Sequence, residues 1–129
     1  MSKRVNISSG AKWEDIVGYS RAVRIGNVIE VAGTTAVDDR NEIVGINNPY
    51  EQTKYIFMKI EKALTEAGAS MKDVVRTRMF VTDISKWEEI GRAHGEYFKD
   101  VKPVASMIEV KGLITPGLLI EIEVTAIIS

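Results

Sequence analysis

The sequence predicts an α+β fold, a sheet with two helices packed on one of its faces, and three observations carry that expectation. Two segments place apolar residues at helical spacing behind recognisable N-caps. Several others alternate apolar and polar residues with the period of a strand. These segments follow one another as strands, helix, strand, helix, strands, the order that gathers helices on one side of a sheet.

The first helix opens at Asn48-Pro49-Tyr50-Glu51, which reads as an N-cap, a proline at the first helical position and a capping-box glutamate. Ile56, Ile60, Ala63, Leu64 and Ala67 then form one apolar stripe, and Gly68 stands where a left-handed residue would end the helix. The second helix is expected to open with another capping box, Ser85-Lys86-Trp87-Glu88, and to run to about Phe98. Its packed side would carry Trp87, Ile90, His94 and Tyr97.

Residues 21–25 and 27–32 flank Gly26-Asn27, a tight-turn signal for a hairpin. From Val74 to Thr82 the pattern puts Val75, Thr77, Met79 and Val81 on one face and Arg76, Arg78 and Phe80 on the other. Residues 119–128 set Ile120, Ile122, Val124, Ala126 and Ile128 against Leu119, Glu121, Glu123, Thr125 and Ile127. Residues 104–110 supply a further strand. The second face would thus mix Arg76, Arg78, Glu121 and Glu123 with Phe80, Leu119 and Ile127. Opposite charges there can pair across strands, and oligomerisation would cover the apolar residues.

The chain of 129 residues reads as one domain, 1–129, with no repeat, linker or low-complexity tract. A formal net charge of −1 gives no bulk attraction to polyphosphate, so nucleic acid is not the expected partner. The absence of cysteine removes disulfides and thiolate chemistry and fits a cytoplasmic protein. Met1 to Asn6 lacks the apolar core of a signal peptide, and no apolar run approaches the roughly 20 residues of a bilayer span.

A self-standing active site does not emerge from composition or spacing. His94 is the one histidine, no serine or cysteine sits beside it in an elbow, and a metal site would need more ligands. Gly112 to Gly117 reads as a turn, with no phosphate-binding loop.

A set of short phrases, taken in order, says more. They are Gly18-Tyr19-Ser20, Ala32-Gly33-Thr34, Ala67-Gly68-Ala69-Ser70, Val74-Val75-Arg76-Thr77 with Val81-Thr82-Asp83, Gly95-Glu96-Tyr97-Phe98, Pro103 to Val110, and Glu121-Ile122-Glu123. Together they resemble the Rid family of small imine/enamine deaminases, the YjgF or UK114 proteins. The resemblance implies a chorismate-mutase-like mixed sheet with both helices on one face, assembled as a homotrimer, with small-molecule clefts between subunits and neither cofactor nor metal. It carries a catalytic role to Tyr19 and Glu121, and substrate contact to the backbone at Gly33. Thr34, Gly91, His94, Ala105 and Met107 fall at or beside ligand-contact positions.

Four of the matched positions depart from the family's pattern. Ala105 stands where active members carry the arginine that grips the substrate carboxylate, Ala32 replaces a small polar residue, Gly91 an asparagine, and Met107 a small polar or thiol residue. Tyr19-Ser20-Arg21-Ala22-Val23-Arg24, Gly33-Thr34-Thr35-Ala36 and Gly91-Arg92-Ala93-His94-Gly95-Glu96 look like a variant of the family without that arginine. Losing it removes a charge-assisted contact of roughly 1.5–3 kcal/mol. Either the ligand has no carboxylate there, or Arg21, Arg24, Arg78 or Arg92 replaces the grip. Glu121 can equally serve as a cross-strand partner for Arg76 or Arg78, and Tyr19 and His94 as packing residues. The expectation is a deaminase-like hydrolase of altered specificity. Its rivals are a trimer that binds small molecules without catalysis and the endoribonuclease or translation-inhibitor role given to some relatives, which the charge balance and the lone histidine weaken.

Overall fold

The computed structural model describes residues 3–129. Its strands are β1 (Arg4–Ile7), β2 (Ala22–Ile25), β3 (Val28–Thr34), β4 (Val74–Val81), β5 (Val104–Glu109) and β6 (Ile120–Ile127); α1 (Pro49–Glu66) follows β3, and α2 (Trp87–Phe98) follows β4. The six strands lie in the order β1-β2-β3-β6-β4-β5, all neighbours antiparallel except β4 and β5. That parallel pair depends on the α2 crossover, because parallel neighbours need a long connection. Helix α1 packs on β3, β6 and α2, and His94 of α2 bonds Thr77 on the same sheet face, so both helices cover one side. Among the described residues no helix is long and apolar enough to cross a membrane.

The α1 signals hold. Asn48 Oδ1 accepts the Glu51 N–H at 3.0 Å, Pro49 follows the cap, and Gly68 takes φ +88° just past the end. Arg24 completes the C-terminus, its Nη1 donating to the Ala67 carbonyl at 2.7 Å, where the helix dipole favours a cation. Ile56, Phe57, Ile60 and Leu64 are fully buried. At about 1.5–3 kcal/mol for each large side chain, this stripe outweighs the caps. Gln52, also fully buried, joins the loops beside it: Nε2 donates to the Gly45 and Gly117 carbonyls, and Oε1 accepts the Leu119 N–H.

Three local expectations change. Ser85 does not cap α2; Asp83 accepts both the Ser85 N–H at 3.0 Å and its hydroxyl at 2.6 Å, opening a 3₁₀ turn, Ile84–Lys86, that leads into the helix. A carboxylate at that place is both acceptor and counter-charge for the N-terminal dipole. Trp87 keeps the phase of the packed stripe, yet at the first position of α2 it is 56% exposed. In β4, pairing runs Val74 to Ala126 and then Arg76 to Thr125, leaving Val75 as the extra residue of a bulge. Val74 therefore enters the core in its place and Val75 faces out, while Thr77, Met79 and Val81 are buried as the alternation requires. Strand β1 lacked a distinct sequence signal.

The outer face carries Arg78 opposite Glu123, at 3.9 Å, and Glu121 opposite Phe80, with no salt bridge to an arginine among the described residues. Val28, Val104, Ile108 and Ile127 lie on the same face, between 42% and 56% exposed.

Candidate functional site

The centre of the site is an irregularity at the end of β3. Pairing with β6 runs Val31 to Val124 and then Thr34 to Ile122, so Ala32 and Gly33 together oppose one residue, Glu123. A bulge of this kind re-aims whatever follows it. Gly33 is then required by a side chain: a Cβ built there would overlap Glu121 Oε2 and stand 2.9 Å from Cδ. The Glu121 carboxyl lies against bare backbone, half-buried. Burial pushes its pKa up, the nearby Glu123 charge adds to that, and Arg21 partly offsets both. A carboxyl so held exchanges a proton more readily near neutrality than an ordinary surface glutamate.

Arg21 organises the same strand end. Its Nη1 donates to the Gly33 carbonyl at 3.0 Å and to Thr34 Oγ1 at 2.8 Å. The Thr34 hydroxyl in turn donates to the Ala32 carbonyl at 2.8 Å, so this buried threonine spends its polar group inside the chain. The guanidinium lies 5.9 Å from the centre of the Tyr19 ring. Behind it, Lys59 Nζ donates to the Thr35 and Val37 carbonyls at 2.8 and 2.9 Å, tying the following loop to α1. Burial, helped by the Arg21 charge and opposed by Asp39 and Asp38, lowers its pKa to about 8.

Tyr19 arrives by a π-helical turn, Glu14–Gly18, closed by the Tyr19 N–H on the Glu14 carbonyl at 3.0 Å; Gly18, at φ +91°, supplies the left-handed step. The turn is moored through the Glu14 carboxylate, which accepts the Ser8 hydroxyl at 2.9 Å and both the N–H and hydroxyl of Ser9. Burial would raise the Glu14 pKa, but these hydrogen bonds and the Arg21 charge hold it down. Between this turn and the outer sheet face lies an open groove of about 770 Å³, lined among others by Tyr19, Ala32, Arg78 and Glu123. Tyr19 is 40% exposed there.

The remaining sequence-predicted residues form a second group. Ala105 lies beside Thr77, and Met107 beside Met79, along the β4–β5 pair. His94 Nε2 shares a 2.9 Å hydrogen bond with Thr77 Oγ1, and its ring packs 5.6 Å from Phe57 and 4.9 Å from Phe98. Burial lowers its pKa, so it is neutral at pH 7. Gly91 is exposed on α2, and a Cβ there would meet nothing within 4 Å.

The chain thus brings Tyr19, Gly33, Thr34 and Glu121 to the β3–β6 end, and Gly91, His94, Ala105 and Met107 to the α2–β5 side; no hydrogen bond or ring contact among the described residues joins the two groups. Sequence reasoning gave Arg21 no rank above the other arginines and passed over Glu14 and Lys59. Their partners are mostly backbone atoms set by the bulge and the loop, which no residue pattern announces.

An α+β architecture of chorismate-mutase type, with a carboxyl laid over a glycine at a strand end and a polar groove beside it, defines the class. Known proteins give it a family. The model of the Endoribonuclease L-PSP family matches residues 10–128, and the chain belongs to this family, the Rid or YjgF/YER057c/UK114 proteins. Rv2704 of Mycobacterium tuberculosis, a structurally known member, is 49% identical with a TM-score of 0.89, over 98% of this chain and 100% of that one. The uncharacterized protein SCO2049 of Streptomyces coelicolor is 38% identical over 93% of this chain and 89% of its own length. The 3-aminoacrylate deaminase RutC of Acinetobacter baylyi is 30% identical over 95% of each chain.

Proposed function

We propose that this protein is a cofactor-free hydrolase of small imines or enamines, acting at clefts shared between the subunits of a trimer. The observation that carries the reading is the Glu121 carboxyl, laid over Gly33 with a raised pKa. Water adds across the C=N bond; Glu121 takes its proton and returns it to nitrogen, and the carbinolamine expels ammonia to leave a carbonyl. The Gly33 N–H and the Tyr19 phenol donate to the charge that develops. The relative named for 3-aminoacrylate deamination supports this reaction class. The separation of the two residue groups supports a shared cleft, one subunit contributing the β3–β6 end and its neighbour the α2–β5 side. Val28, Val104, Ile108 and Ile127, exposed on the outer sheet face, are what a neighbouring copy would cover.

A second reading, a trimer that binds small molecules without turnover, draws on Ala105 and Gly91, which leave the α2–β5 side without the expected polar groups. Ammonia release from freshly generated imines, with and without a carboxylate, separates the two. The hydrolase predicts turnover by the wild type that falls at least a hundredfold in Glu121→Ala, the scale of a lost general base. Silence of the wild type on every substrate, with activity appearing in Ala105→Arg, would instead favour an intact cleft used for binding. A sedimentation mass other than that of a trimer would remove the shared cleft.

A further inference from the structure

Four arginines were candidates to replace the guanidinium that Ala105 does not supply, and their surroundings separate them. Arg24 is committed to backbone, Nη1 to the Ala67 carbonyl at 2.7 Å and Nε to the Gly26 carbonyl at 2.8 Å. Arg92 is stacked 4.1 Å over the Tyr50 ring, whose hydroxyl donates to Glu96, so a ring and a nearby carboxylate already engage it. Arg78 already faces a counter-charge, Glu123, at 3.9 Å.

Arg21 differs from all three. Its Nη1 alone is spent, on the Gly33 carbonyl and Thr34 Oγ1, and those bonds fix the guanidinium at the strand end where the Glu121 carboxyl lies. Nε and Nη2 make no hydrogen bond among the described residues, although the side chain is half-buried. The nearby Glu14 carboxylate does not use that edge, being occupied by Ser8 and Ser9. A guanidinium anchored through one terminal nitrogen still presents Nε–H and one Nη2–H side by side, the pair of parallel donors that matches a carboxylate.

We infer that Arg21 is the anion-holding group of this site, its Nε–Nη2 edge receiving the carboxylate of a short 2-imino or 3-aminoacrylic acid. The substrate class rests on the hydrolase reading; the grip itself does not require turnover. On this arrangement the anion and the proton are handled by the same strand end. Ala105 and Met107 of the opposing side then meet the hydrocarbon part of the substrate, and Ala105 leaves room for it.

The test is equilibrium binding, by calorimetry or NMR titration, of 2-oxobutanoate, a stable carbonyl with the frame of a 2-imino acid, beside its methyl ester. The wild type should bind the acid at least tenfold more tightly than the ester, the scale of a charge-assisted pair. Arg21→Gln should erase that preference, whereas Arg24→Gln should keep it. Arg21→Lys keeps the charge without the fork and should bind the acid about threefold or more weakly than the wild type. No preference in the wild type, or an undiminished one in folded Arg21→Gln, would overturn the inference. Should the glutamine variant fail to fold, equal binding by wild type and Arg21→Lys would do the same. Ammonia release measured in parallel keeps the two ideas apart. Acid binding through Arg21 without turnover defeats the hydrolase and leaves the grip standing. Turnover with equal KM for imines with and without a carboxylate defeats the grip and leaves the hydrolase.

Discussion

The β3–β6 end and the α2–β5 side are built on opposite principles. The first concentrates polar groups held by backbone atoms and hydroxyls: Arg21 on the Gly33 carbonyl, Lys59 on the Thr35 and Val37 carbonyls, Glu14 on the Ser8 hydroxyl and on the N–H and hydroxyl of Ser9, and Glu121 over a glycine. The second holds one imidazole, already bonded to Thr77 and packed among aromatic rings, beside an alanine, a methionine and a bare glycine. Charged and titratable groups are concentrated in one half, and the other offers mainly shape. On the proposed reading, the contrast also accounts for a hydrolase cleft that has no arginine on β5. What matters is that one preorganised charge reaches the substrate, whichever half supplies it.

The sharpest way to break this contrast is Gly33→Ala. The three atoms nearest the added methyl all belong to the Glu121 side chain, and Gly33 does not have a positive φ, so its backbone conformation is one alanine can adopt. The carboxylate should swing aside while the fold survives. Activity is expected to fall about a hundredfold or more, as in Glu121→Ala, with the melting temperature close to that of the wild type. Retained activity would mean that Glu121 does not work from this position. A collapse of stability would mean that the glycine serves packing.

On the other side, Thr77→Val should cost stability and little chemistry. The substitution strands the His94 Nε2 against a buried methyl, a loss of about 1–3 kcal/mol, readable in denaturant unfolding, with kcat/KM changed less than a few-fold. The pH dependence carries the sign. The folded pKa of His94 lies below its ordinary value, so between that lowered value and 6.5 the unfolded chain binds more protons, and stability falls as pH drops through this window. His94→Gln should flatten that acid-side loss. If it removes activity while leaving the stability profile unchanged, the histidine belongs to the chemistry and the division of the site fails.

Much of the fold was legible because it rests on local signals: the Asn48-Pro49 cap and Gly68 bound α1, and the alternation in β6 placed Ile120, Ile122, Val124 and Ala126 in the core. The misplacements have particular causes. Val75 went to the wrong face because a bulge adds a residue without changing the composition of the strand, and the α2 cap moved because Asp83 competes with Ser85 for the same role. Within the site, Glu121 and Gly33 were legible only as family positions. The reason they need each other, a carboxyl lying where a methyl would be, exists only once β3 and β6 are in register with two residues opposing one. Arg21 could not be told from its neighbours in the sequence, since its distinguishing feature is a pair of bonds from one nitrogen, to the Gly33 carbonyl and the Thr34 hydroxyl, and an edge left free.

The smallest expected effect asks whether the shape-bearing half is bare for a reason. Gly91 and Gly95 lie inside α2, where glycine costs about 1 kcal/mol relative to alanine, and a Cβ at either would meet nothing within 4 Å of its own chain. In an isolated subunit, Gly91→Ala should therefore stabilise by about 0.5–1 kcal/mol. In an assembly whose neighbouring subunit brings its Tyr19 and Glu121 against α2, the same methyl would intrude on the cleft. Stability should then fail to rise, and KM for the substrate should increase with kcat little changed. A clean gain in melting temperature, with unaltered trimer mass and KM, would show that nothing approaches Gly91 and would detach α2 from the site. A methyl group that helps the helix and harms substrate binding is the combination a shared cleft predicts, because a neighbouring subunit would occupy the space that the isolated chain leaves open at Gly91.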